Sequence, residues 1–282
     1  VTEPVEAAAI QANGASIPAI GLGTWTLRGR ACADLVAEAL ALGYRHVDTA
    51  AMYENEAEVG AGLRAAGLPR GDVFVTTKVW YTDIAPGALE RSAEASLRRL
   101  GLDHVDLLLI HWPNPAVPVE HSMRALGAVR EAGMARHIGV SNFPTGLLRR
   151  ALAASAHPLV ANQVEHHPRL AQDKILAACR AAGMAMVSYC PLHRGGALLD
   201  EPAIRQAARR HGRSPAQIVL RWHVQQPGVA AIPRTTRRDR LAENLAVFDF
   251  ALSDAEMAAI SALGRVGDRL CDYAFSPQWD EA

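Results

Sequence analysis

The stretch "PGALERSAEASLRRLGLDHVDLLLIH", residues 86–111, decides how the rest of the chain is read. In its first half Leu89, Ala93, Leu97 and Leu100 recur at helical spacing and share one face. Pro86 stands where a first-turn proline belongs, and Gly101 follows as a C-terminal stop. The second half changes character. "VDLLLIH" (105–111) is a nearly continuous apolar run, the pattern of a parallel strand covered on both faces.

Working outward, the same alternation recurs. Strand-like runs stand at "AIGLG" (19–23), "YRHVD" (44–48), "VFVTTK" (73–78), "ARHIGVS" (135–141), "LVANQ" (159–163), "AMVSY" (185–189) and "VAAIP" (229–233). Amphipathic segments separate them. In 54–67, Asn55 and Glu58 have the spacing of an N-cap with a reciprocal acid, and Gly67 closes the segment. Ser214 and Pro215 open another helix as cap and first helical residue.

Eight strands alternating with helices in 282 residues, with no linker-like stretch, predict one α/β domain over 1–282. Its architecture is a (β/α)8 TIM barrel. An open doubly wound sheet is the alternative, but "GLGTW" lacks the glycine spacing of a dinucleotide turn. The pair "NG" (13–14) between apolar runs predicts an N-terminal β-hairpin closing the bottom of the barrel.

Half the residues are hydrophobic, and Lys+Arg and Asp+Glu balance at 29 each. A net charge of zero argues against a general nucleic-acid or membrane-surface partner. No apolar run is long enough to span a bilayer, and "VTEPVEAAAIQANG" (1–14) does not read as a leader. Cys32, Cys179, Cys190 and Cys271 have no metal spacing. They read as reduced thiols, which together with the missing leader points to the cytoplasm.

In a barrel the chemistry lies at the C-terminal strand ends. Strands 2, 3 and 4 end in Asp48, Lys78 and His111, and Tyr53 follows on the loop after Asp48. Each alone has an ordinary structural reading. Together they make a coherent acid. A phenol of pKa ~10 is a weak acid, a neighbouring ammonium lowers that value, and a carboxylate keeps a buried ammonium charged. A neutral imidazole at His111 orients a substrate oxygen. The device protonates an oxyanion forming on a carbonyl, and the electrons then come from a bound hydride donor. Ser141, Asn142 and Gln163 have groups suited to a carboxamide, and Tyr189 to stacking on a flat ring. "IPRTTRRDRLAEN" (232–244) is the one clearly basic segment; Arg234, Thr235 and Thr236 suit a phosphate and Arg240 an adenine.

The ordered motifs "GLGTW", "YRHVDTAAMYENEAEVG", "TTKVW", "LIHWP", "IGVSNF", "NQVEHHP", "SYCPL" and "IPRTTRRDRLAEN" are similar to those of the aldo-keto reductase family over essentially the whole chain. The chain most resembles its short bacterial members, the 2,5-diketo-gluconate reductase group. The resemblance implies NADP(H)-dependent reduction of small aldehydes and activated ketones by a metal-free monomer. It implies Tyr53 as general acid/base, Lys78 and Asp48 tuning it, and His111 orienting the carbonyl. It places Ser141, Asn142 and Gln163 on the nicotinamide carboxamide under Tyr189. Thr24 and Trp25 lie near the cofactor, with Cys190 and Leu192 toward the phosphates. Arg234, Thr235, Thr236 and Arg240 take the 2′-phosphate and adenine side, with Glu243 and Asn244 on the adenine. Met52, Trp80 and Trp112, with Trp25 and His111, line the substrate mouth. A short segment after Gly264 implies a wide mouth.

Three positions depart from the family pattern: Arg234 stands for the usual Lys, Cys190 for a frequent Ser, and His193 for a smaller residue. Arginine keeps the charge with different geometry. The adjacent histidines of "EHHP" (165–168) diverge too readily to read as a metal pair, and Trp222 reads as packing. Two other functions compete: a non-catalytic NADP(H)-binding redox sensor, and a Schiff-base enzyme using Lys78. The intact four-residue set weighs against the first, and the carboxylate that keeps Lys78 charged against the second.

Overall fold

The computed structural model describes residues 8–264 and 268–280. Much of the N-terminal stretch read as carrying no leader, residues 1–7, lies outside the described residues.

The chain opens on a hairpin of β1 (Ala9–Ala12) and β2 (Ala15–Pro18), paired antiparallel. Asn13 and Gly14 form its turn at φ 45° and 88°, a left-handed pair that Asn-Gly adopts with least strain. Ala12, Ala15 and Ile17 pack against Leu107, Val160, Ala185 and Ala230 inside the barrel. Asn13 donates to the carbonyls of Leu159 and Ala182, at the N-terminal ends of two later strands. The hairpin therefore closes the bottom, as expected.

Eight parallel strands follow: β3 (Leu22–Gly23), β4 (His46–Asp48), β5 (Phe74–Val79), β6 (Val105–Ile110), β7 (Ala135–Ser141), β8 (Leu159–Glu165), β9 (Ala185–Tyr189) and β10 (Val229–Ala231). Each is hydrogen-bonded to the next in chain order. Ile20 bridges in parallel to Ala231, and Gly21 N–H donates to the Ala231 carbonyl at 2.9 Å. That bridge joins first strand to last and closes the barrel. Every position of β6 and of β8 is buried, as strands covered on both faces require.

The helices are α1 (Gly29–Ala41), α2 (Glu56–Ala66), α3 (Ala88–Leu100), α4 (Val119–Glu131), α5 (Thr145–Ala154), α6 (Asp173–Ala181), α7 (Pro202–His211), α8 (Pro215–Val224), α9 (Asp239–Leu245) and α10 (Asp254–Ser261). Gly101 caps α3 at φ 67°, and Ser214 caps α8 by accepting from Gln217 N–H. Trp222 packs among α7, α8 and α10 and donates to Ser261, consistent with a packing role.

Two local expectations are corrected. Pro86 lies outside α3, not in its first turn. The helix starts after Gly87, whose N–H donates to the Glu90 carboxylate at 2.5 Å. Asn55 stands at the N-cap of α2, but its side chain makes no capping bond. It accepts from Thr49 Oγ1 at 2.9 Å and donates to the carbonyls of Thr24 and Leu27 at 2.8 and 3.0 Å. A fully buried carboxamide must find partners, and the loops after β3 and β4 supply better ones than the helix.

Candidate active site

β4 ends at Asp48, and a single 3-10 turn, Ala51–Tyr53, follows. Side chains alternate along β5, so Lys78 points into the barrel mouth while Thr77 points outward to α2. Lys78 Nζ donates to Asp48 Oδ1 at 2.5 Å, to the Thr49 carbonyl at 2.9 Å and to Tyr53 Oη at 3.2 Å. Gln163 Nε2 donates to the second Asp48 oxygen at 2.7 Å. All three ammonium donors and both carboxylate oxygens are thus engaged in a site from which water is excluded.

Burial pulls the Lys78 pKa down, and the Asp48 carboxylate opposes this by charge and by hydrogen bond. Glu56 adds to that opposition. Its buried carboxylate lies behind β5, accepting from Thr77 Oγ1 at 2.5 Å and from Arg99 Nε at 2.8 Å. Glu56 was not singled out in the sequence. Its only signal was a helix-start acid next to an inward lysine strand.

The Tyr53 phenol departs from expectation. The ammonium is in place, but burial first and the Asp48 charge second hold its pKa well above the ordinary 10.0. The group is therefore fully protonated at neutral pH. Its ring packs edge-on against Trp25, with centroids 5.0 Å apart, and against His111 at 5.6 Å.

His111 continues the β6 ladder, its N–H donating to the Val79 carbonyl at 2.9 Å. Burial, and then the Lys78 charge, hold its imidazole well below the ordinary 6.5, so it is neutral. Its Nδ1 is buried and has no hydrogen-bond partner among the described residues. Such an orphan beside a phenol suits a polar ligand atom that the protein itself does not supply.

Across the mouth, the polar groups of β7 to β9 are bonded to one another. Ser141 Oγ donates to the Gln163 carbonyl, and Asn142, at φ 63°, donates to the His111 carbonyl. Tyr189 Oη donates to Asn142 Oδ1 at 2.8 Å. Thr24 is buried with its hydroxyl on the Asp48 carbonyl.

In the basic segment Arg234 donates to the Trp25 carbonyl at 3.1 Å and to Thr26 Oγ1. Thr235 is buried and Thr236 exposed. Glu243 accepts from Ser214 Oγ, and Asn244 is buried. The Arg240 side chain is exposed and makes no hydrogen bond or ion pair among the described residues. Leu192 is half-buried against the core.

The two histidines after Glu165 point apart: His166 reaches Ser188 and His167 reaches Glu165. Met52 lies beside Trp80 in a groove of about 730 Å³ outside the barrel, between the Ala51–Tyr53 turn and α3. Trp80 packs on His111 and Trp112 is buried. The C-terminal segment is short, yet it walls the mouth. Phe275 packs edge-on against Trp80 and Trp112 and stacks on Tyr81 at 4.6 Å. The buried Glu165 carboxylate anchors that segment, accepting from Leu270 N–H at 2.7 Å and Cys271 N–H at 2.8 Å. No periodicity in 268–280 announced these contacts.

A lysine-bound phenol at the strand ends of a closed parallel barrel is matched by what the chain resembles. The model of the aldo/keto reductase family matches residues 19–265. The chain belongs to that family, and so to the oxidoreductases acting on carbonyl groups. Among curated relatives, the methylglyoxal reductase DkgB of Yersinia pestis is 40% identical, with 94% of this chain and 100% of that protein covered. The morphine 6-dehydrogenase of Pseudomonas putida is 42% identical over 89% of each chain. Of solved structures, a putative 2,5-diketo-D-gluconic acid reductase B superposes at TM-score 0.94 with 45% identity over 97% of both chains. The Bombyx mori aldo-keto reductase in complex with NADP gives 0.87 and 34%, covering 93% of this chain and 94% of that one.

Proposed function

We propose that one barrel domain, 1–282, reduces small aldehydes and activated ketones with NADP(H), and that Tyr53 gives the proton. The observation that carries the reading is the unbroken buried contact from Asp48 through Lys78 to Tyr53, beside the unpartnered imidazole of His111. The residues present suit a phosphorylated nicotinamide nucleotide. Arg240 is unpaired among the described residues, Arg234 belongs to the same basic segment, and a guanidinium is a good partner for a phosphate. Ser141, Asn142 and Gln163 lie together at one rim beside the half-buried Tyr189.

When bound, the nucleotide supplies a hydride to the carbonyl carbon. The chain does the rest. His111 holds the carbonyl oxygen near Tyr53. Tyr53 stays protonated until that oxygen becomes a strong base, then donates. Lys78 stabilises the resulting phenolate, and Asp48 keeps Lys78 charged in a dry site. The four free thiols accord with a reducing compartment such as the cytoplasm.

The test is loss of NADPH absorbance across a carbonyl panel, repeated with NADH. Relatives named for methylglyoxal and for 2,5-diketo-gluconate put α-dicarbonyls first on that panel. Turnover is expected with NADPH; none with any carbonyl sinks the reading in favour of a binding-only role.

A pH profile tests the protonation states. Tyr53 is shifted up, so its donor form is complete throughout neutral pH; His111 is shifted down, so it never charges there. Reduction should keep a flat kcat/KM from about pH 6 to about pH 9, while alcohol oxidation, which needs the phenolate, rises with pH. An inflection near the ordinary histidine value of 6.5 in the reductive direction would place a charge on His111 and contradict this assignment.

A further inference from the structure

The residue after Tyr189 at the end of β9 is Cys190, held left-handed at φ 49° and partly exposed. Facing it is Cys271, on the C-terminal segment that Glu165 anchors through the Leu270 and Cys271 N–H groups. Glu165 pairs with Tyr189 across β8 and β9 while its carboxylate holds the Cys271 N–H, so the two cysteines flank one residue; each thiol acts electrostatically on the other, and the Arg194 guanidinium acts on both. Tyr273 acts on Cys271 as well. The neighbouring Cys190 brings the Cys271 thiol down to about 7, and Cys190 holds its own proton correspondingly tighter. The other two cysteines contrast: burial raises Cys32 to about 11 and Cys179 to about 12. Thiolate character and access, not cysteine count, decide which sulfur reacts.

We propose that Cys190 and Cys271 are a redox site, where an oxidant of the peroxide class converts the dithiol to a disulfide that ties the C-terminal segment to the end of β9. The Cys271 thiolate attacks one peroxide oxygen, the O–O bond breaks, and hydroxide leaves and takes up a proton to become water. Cys271 is then a sulfenic acid. Cys190 sulfur attacks the Cys271 sulfur, the S–S bond forms, and the S–O bond breaks. The hydroxyl leaves as a second water with the Cys190 proton. The two sulfurs together lose two electrons and the peroxide gains them. Cys271 lies two residues before Tyr273 and four before Phe275, which pack on Trp112, so the bond fixes one wall of the mouth. The sulfur chemistry stands apart from the reductase reading; only an effect on turnover rests on it.

Trypsin separates the four cysteines, with Cys190 in 181–194, Cys271 in 270–282, Cys32 in 31–45 and Cys179 in 175–180. The purified full chain is treated with hydrogen peroxide, alkylated after unfolding, and digested without reduction. The expected product is 181–194 joined to 270–282, two hydrogens lighter than the separate peptides and lost on adding dithiothreitol. Free thiols fall from four to two, with Cys32 and Cys179 alkylated. Cys271→Ser and Cys190→Ser each abolish the joined species. A full thiol count after peroxide, a link through Cys32 or Cys179, or Cys271 over-oxidised without a link overturns the proposal. The wild-type digest decides the matter even if a variant fails to fold. It needs neither nucleotide nor carbonyl, so it can fail or succeed independently of the turnover assay.

Discussion

Tyr53→Phe is expected to lower kcat/KM for aldehyde reduction by about 10²–10⁴-fold, the usual worth of a positioned general acid. The substitution removes one oxygen, 3.2 Å from Lys78 Nζ, and keeps the ring against Trp25 and His111. The protein should stay folded and keep its affinity for NADPH, so the loss falls on the chemical step. The assay is NADPH consumption with a simple aldehyde, alongside a nucleotide-binding titration. Near-normal turnover would mean that the proton comes from water or from His111.

The second large effect is on stability. Lys78 is fully buried and Asp48 is 1% exposed. Lys78→Met leaves the carboxylate in a dry site without its counter-charge, with Gln163 still bonded to it. Removing one partner of such a pair typically costs about 3–5 kcal/mol, more than an exposed ion pair ever contributes. Asp48→Asn in the Lys78→Met background removes the stranded charge and should restore much of that stability, without restoring activity. Urea unfolding of the two single variants and the double variant reads this directly. Additive losses in the cycle would show that the two side chains do not act as a pair.

All eight barrel strands were legible in the sequence because strands covered on both faces leave continuous apolar runs. Their limits were not. The first run, 19–23, keeps only Leu22–Gly23 in regular pairing plus the bridge at Ile20, and the last stops at Ala231 ahead of Pro233, which has no N–H to give. Asp48, Lys78 and His111 were legible because barrel topology sends successive strand ends to one rim. What escaped is non-local. Asn55 satisfied a local capping rule while its real partners lay as far back as Thr24. Glu165 lay beyond the run read as a strand, 159–163, yet its partners are backbone groups 105 and 106 residues later. The expected drop in the Tyr53 pKa failed for a related reason: spacing names a neighbour but not the depth of burial around it.

Asp48, Tyr53, Lys78 and His111 all lie within the first 111 residues, in one half of the barrel. Among the described residues the second oxygen of Asp48 is satisfied by Gln163 alone, 115 residues further along. A nascent chain that has made β3 to β6 therefore holds every group of the proposed acid but cannot yet arrange them. Assembly of the reactive centre waits on the far half and on the seam from Ile20 to Ala231. Gaining activity and completing the ring are then one event.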